Sequence, residues 1–148
     1  MNRIMRELLG KILGRRPPVL QVAALCLKPE TGRVLLITSR GTGRWIIPKG
    51  WPMTGRSAAG AALREAWEEA GVRGHAQETP IGQYGYNKKQ GRGLTIPISV
   101  QVYLIRVSRL ENDFPEAGER DRAWFTPAEA ADLVDEDELK DLLRNFPA

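Results

Sequence analysis

Cysteine and histidine are almost missing from this chain of 148 residues, with Cys26 and His75 the sole examples of their types. A single cysteine excludes an intramolecular disulfide, and in its apolar run Cys26 reads as a small buried hydrophobe suited to a reducing compartment. A single histidine leaves any dyad built on His75 without an identifiable partner, so it reads as an ordinary loop or strand residue. Long apolar runs are also lacking: none approaches the roughly 18 residues that a membrane-spanning helix needs. Charge of one sign is in small excess, 22 basic against 18 acidic residues for a formal +4. That balance favours an anionic partner but is too weak by itself to argue for nucleic acid. There are no repeats or low-complexity tracts, and 42% hydrophobic content at this length supports one domain with a real core.

Residues 1–16 place Ile4, Met5, Leu8, Leu9, Ile12 and Leu13 at helical spacing among basic residues, while Glu7 and Lys11 interrupt any signal-peptide core. The expectation is a basic amphipathic helix that docks on the domain or self-associates, with contact to an anionic membrane surface as the lesser alternative. Pro17 and Pro18 stop it, and the domain proper is expected over 17–148. Strands are expected over 19–27 and 33–40 as a hairpin, then over 45–48, 75–86, 96–107 and 122–125, with a loop over 87–95. Helices are expected over 57–70, 127–133 and 136–146. Strands interleaved with helices indicate an α/β fold with a mixed sheet between helical layers.

The most informative stretch runs from Gly50 to Val72, GWPMTGRSAAGAALREAWEEAGV. At about 100° per residue, Glu65, Glu68 and Glu69 fall within roughly a 100° arc, with Ala59, Leu63, Ala66, Trp67 and Ala70 opposite. Like charges at i, i+3 and i+4 repel by a few tenths of a kcal/mol per pair, so the face calls for a cation. Hard divalent ions take oxygen ligands from one or two carboxylates beside waters and phosphates. Taken alone, such a face is more commonly solvated surface.

The whole segment resembles the Nudix box. Gly50 is followed at the family's spacing by Arg64-Glu65-Ala66-Trp67-Glu68-Glu69-Ala70-Gly71-Val72, and RWIIPKG over 44–50 resembles the usual lead-in. The departure is Arg56, six residues after Gly50, where the family carries a glutamate. It could pair with a box glutamate, reach a substrate phosphate as a bidentate donor, or be solvated.

The resemblance implies an α/β/α Nudix sandwich that hydrolyses a P–O–P bond with a divalent metal, Mg²⁺ first and Mn²⁺ as the other candidate. Glu68 and Glu69 would be metal ligands, Glu65 a ligand or general base, and Arg64 the residue that orients them. Relatives that take the base from a later loop point instead to Glu116 or Glu119. On the substrate side stand Arg40, Arg44, Lys49 and Arg56, then Lys88, Lys89 and Arg92, a density suited to several phosphates. Tyr84 and Tyr86 share a strand face and read either as base-stacking or as core residues. The PKGW lead-in, the loop lysines and PEAGERDRAW over 115–124 are most similar to the branch that cleaves diphosphoinositol and diadenosine polyphosphates. The expected partner is therefore a phosphorylated small molecule, with nucleic acid confined to an RNA 5′ end. The expected state is a cytoplasmic monomer or homodimer. The alternative, motivated by Arg56, is a Nudix fold that binds a nucleotide or polyphosphate without turnover.

Overall fold

The structure, a computed structural model, describes residues 18–89 and 91–146; the helix expected over 1–16 lies outside them. Its centre is a parallel pair, β1 (Val19–Lys28) and β7 (Thr95–Leu110), in register from Val19↔Ile98 to Leu27↔Arg106. A strand covered on both faces needs apolar side chains on both, which is why VAALCL in β1 runs without alternation. Ala23, Leu25 and Leu27 enter one core, and Val22, Ala24 and Cys26 the other. The expected hairpin is present, with β2 (Arg33–Thr38) returning antiparallel on the end of β1. β3 (Trp45–Ile46) and β8 (Arg122–Phe125) pair with β2, and β4 (Lys49–Gly50) pairs with Val22 and Ala23 of β1.

One expectation is corrected. Residues 75–86 do not form one strand; they divide between β5 (Val72–Ala76) and β6 (Gly82–Lys89), both antiparallel to β7. The chain bows out across Pro80, which has no N–H to give a ladder, and rejoins the same partner strand at Gly82↔Val102. The following loop is shorter than expected, because β6 continues to Lys89. The result is an eight-stranded mixed sheet. α1 (Ala58–Ala70) covers one face, and α2 (Pro127–Leu133) and α3 (Asp137–Arg144) cover the other, which is the α/β/α sandwich. No helix among the described residues is long and apolar enough to cross a membrane.

α1 docks through Ala59, Ala62, Ala66 and Ala70, whose small side chains let the helix lie close to the sheet. Leu63 and Trp67, expected on that face, are only half-buried, and Glu69 is buried instead. Ser57 caps the start by accepting the Gly60 N–H, and Gly71 ends the helix in the left-handed region at φ 72°. The orphan carbonyls of the last turn are satisfied from outside: Gly71 N–H donates to Trp67, Glu116 N–H to Glu68, and Arg122 to Ala70. Those bonds pin the 111–121 loop against the C-terminal end of α1. A Cβ at Gly71 would meet Glu111 O and the Phe114 ring at 2.6 Å. Gly71→Ala is therefore expected to cost about 3 kcal/mol, from left-handed strain plus overpacking. Urea unfolding checks this as a lower midpoint at unchanged slope.

Candidate active site

The β4–α1 connection, the middle of α1 and the pinned 111–121 loop enclose a cleft of about 510 Å³. Glu65, Glu69 and Glu116 line it together with Arg40, Lys49, Lys88, Tyr86 and Arg120. A larger hollow of about 940 Å³ lies beside α3 and brings together none of these groups.

Glu65 fits because Gly50 has no side chain: a Cβ there would fall on the Glu65 carboxyl group. Glu69, one turn on, is only 5% exposed. Burial, more than any other cause, raises the pKa of both carboxyls. The hydrogen bond between them and their mutual repulsion carry Glu69 up to about 8, against the opposing pull of Arg120. Burial and the adjoining carboxyl thus favour the protonated form of Glu69 more than Arg120 favours the charged one.

Arg120, which sequence reasoning missed, is the organising cation. Its guanidinium is almost fully buried, 3.6 Å from Glu69 and 3.2 Å from Glu116, and it donates to Thr38 O at 3.1 Å. Its i,i+4 spacing from Glu116 was the available signal, hidden because the PEAGER run was read for its glutamates. Arg40 closes the rim, 3.0 Å from Glu119 and 3.5 Å from Glu116. Gln21 was also missed; it accepts from the Tyr86 hydroxyl at 2.6 Å, fixing the ring beneath Lys49 Nζ at 5.3 Å. Burial lowers the pKa of Lys49, with Glu69 acting against that shift.

Not every expected residue reaches the cleft. Glu68 points along the helix surface, its carboxylate accepting from Arg64 Nε at 2.8 Å, and neither residue lines the cleft. Arg44 is engaged by Glu136 at 2.8 Å and Asp135 at 3.5 Å. Tyr84 is core. Lys89 lies at the exposed end of β6 and does not line the cleft. Arg56 lies on a separate recess with Arg64 and Arg73, and it makes no ion pair with a box glutamate.

Among the described residues no three His, Cys, Asp or Glu side chains form a ready-made metal cage. The donor set nevertheless fits a hard divalent ion, which takes few carboxylates and completes its shell with water and phosphate. Glu65 and Glu69 are two adjacent oxygen donors with one cation, Arg120, at 3.6 Å from Glu69, and Glu116 lies on the other side of that guanidinium.

A family model of the NUDIX domain matches residues 17–146, and the chain belongs to the Nudix family. It is 29% identical over 119 residues to Nudix hydrolase 12, mitochondrial, of Arabidopsis thaliana, a match covering 76% of this chain and 57% of that protein. It is 32% identical over 118 residues to human diphosphoinositol polyphosphate phosphohydrolase 3-beta, covering 77% of this chain and 68% of that protein. The aligned region is thus little more than half the length of the plant relative. The solved E. coli dihydroneopterin triphosphate pyrophosphohydrolase superposes with a TM-score of 0.67 at 17% identity, over 86% of this chain and 93% of that one, a likeness of fold.

Proposed function

We propose that this protein hydrolyses a P–O–P bond in a polyphosphorylated small molecule, of the diadenosine or diphosphoinositol polyphosphate kind, with Mg²⁺ or Mn²⁺. The observation that carries the reading is the cleft itself, where Glu65, Glu69 and Glu116 face Arg40, Lys49, Lys88 and Arg120 within about 510 Å³. A divalent ion held by Glu65 and Glu69 would neutralise diphosphate charge and lower the pKa of water. Lys49, Lys88 and Arg40 would bind phosphate oxygens, and Tyr86 would flank the substrate. Arg120 would hold Glu69 and Glu116 in place. Arg64 would orient Glu68, which would supply a further carboxylate to the ion. Glu116, at the cleft wall between Arg40 and Arg120, is the base favoured here; Glu65, tied to Glu69, is the other candidate.

Gly50→Ala would push Glu65 out of its seat. It is expected to lower divalent-ion affinity and turnover about 10- to 100-fold. Calorimetric metal titration checks this beside a thermal melt.

The function is tested by phosphate and nucleotide release from diadenosine polyphosphates, diphosphoinositol polyphosphates, nucleoside diphosphate derivatives and triphosphorylated or capped RNA, with Mg²⁺ or Mn²⁺. Metal-dependent turnover of one class supports the reading and chooses the substrate. Ligand-induced thermal stabilisation without turnover would favour a binding module instead. Cys26, a free buried thiol, suits a reducing compartment, and the proposed setting is the cytoplasm, as a monomer or homodimer. The proposed organisation remains an amphipathic segment over 1–16 ahead of the Nudix domain.

A further inference from the structure

The side of α1 nearly opposite Glu65 and Glu69 carries a second concentration of charge. The helical stripe of Gly60, Arg64 and Trp67 faces Arg56 and Arg73 across a recess of about 350 Å³. Three guanidiniums line it, and no carboxylate does. Arg64 is paired with Glu68 at 2.8 Å, whereas neither Arg56 nor Arg73 has a carboxylate within ion-pairing distance among the described residues. The nearby Glu111 pairs with Arg109 at 2.6 Å, and Arg109 sits directly across the β5–β7 ladder from Arg73.

Arg73 is also held in place. Its guanidinium stacks on the half-buried Trp67 ring, 3.5 Å from the centroid. Stacking uses the face of the guanidinium and leaves its in-plane donors free, and a fork fixed in this way loses less rotamer freedom on binding phosphate. Arg56, exposed just before the helix cap, supplies a second fork.

The geometry points to a second binding site here, for a small oligophosphate anion of the di- or triphosphate class, separate from the cleft and independent of metal. The two sites differ in sign composition. The cleft mixes three carboxylates with four cationic side chains, whereas the charged residues lining the recess are all arginines. Several forks around one hollow suit more than one phosphate group. The inference does not rest on the proposed hydrolysis.

The test is equilibrium binding of inorganic triphosphate to the intact chain in EDTA, followed by calorimetry and by the ¹⁵N shift of the Arg73 Nε–H. Arg56→Gln and Arg73→Gln are each expected to weaken binding about tenfold or more, and the cleft variant Lys88→Gln to leave it unchanged. Thermal melts of the free variants check folding, and the Arg73 shift in the unmodified protein needs no variant. Affinity indifferent to both arginine variants, loss of binding in Lys88→Gln, or an Arg73 signal unmoved at saturation would overturn the proposal. So would arginine-dependent capture of a short single-stranded RNA with no response to triphosphate.

Discussion

Replacing Glu69 with Gln is expected to reduce kcat on the order of 10²- to 10³-fold while leaving the fold intact. The side chain is buried at the cleft wall, bonded to Glu65 and 3.6 Å from Arg120, so the amide keeps the volume and removes the charge. Arg120 retains Glu116 at 3.2 Å and the Thr38 carbonyl, so no buried guanidinium is stranded. The magnitude is that of losing one preorganised charge aimed at a transition state. Steady-state kinetics on the best substrate of the panel, with metal calorimetry and a thermal melt, check it. Full turnover in the variant would remove Glu69 from the machinery, and unfolding would assign it to structure.

Without divalent metal, the protein is expected to lose stability as the pH rises from about 5 through 8. Burial and the neighbouring Glu65 raise the Glu69 pKa from the ordinary 4.5 to about 8, and Glu65 shifts upward too. An acid whose folded pKa lies above its unfolded value holds its proton more tightly in the folded state. Its contribution is therefore complete below about 4.5 and is lost as the pH passes through 8. The loss is on the order of a few kcal/mol, or several degrees of Tm in a domain of this size. Mg²⁺ or Mn²⁺ binds the deprotonated carboxylates, so the metal-induced rise in Tm is expected to grow over the same interval. Melts in EDTA and in metal from pH 5 to 8.5 measure both. A flat profile in EDTA would contradict the raised Glu69 pKa, and Glu69→Gln is expected to flatten the profile.

The parts of the fold legible in sequence are those written in local chemistry. Ser57 and Gly71 bracket α1 because one supplies a cap oxygen and the other tolerates φ 72°. The unbroken apolar run of β1 announces a strand buried on both faces. The division of 75–86 was less legible, because β5 and β6 lie along the same partner strand and only the bow at Pro80 separates them. Among site residues, Glu65 and Glu69 were named from helical spacing, Tyr86 from strand period, Arg40, Lys49 and Lys88 from density of charge, and Glu116 from the family resemblance; all of them line one cleft. Arg44 was named for its charge alone, and charge does not reveal that Glu136, 92 residues away, is its partner.

The sequence by itself determined that these glutamates share a helix and that a Gly-rich loop opens it, since helical period and glycine geometry act over a few residues. Tertiary structure alone decided which glutamates face the cleft. Docking α1 through Ala59, Ala62, Ala66 and Ala70 turns Glu69 inward and leaves Glu68 to Arg64. It also placed Arg56 on the far side of the helix and brought Arg120, from a loop 51 residues beyond Glu69, into the carboxylates. Burial and charge pairing depend on neighbours distant in the chain, so they are set only when the sheet, the helix and the pinned loop close on one another.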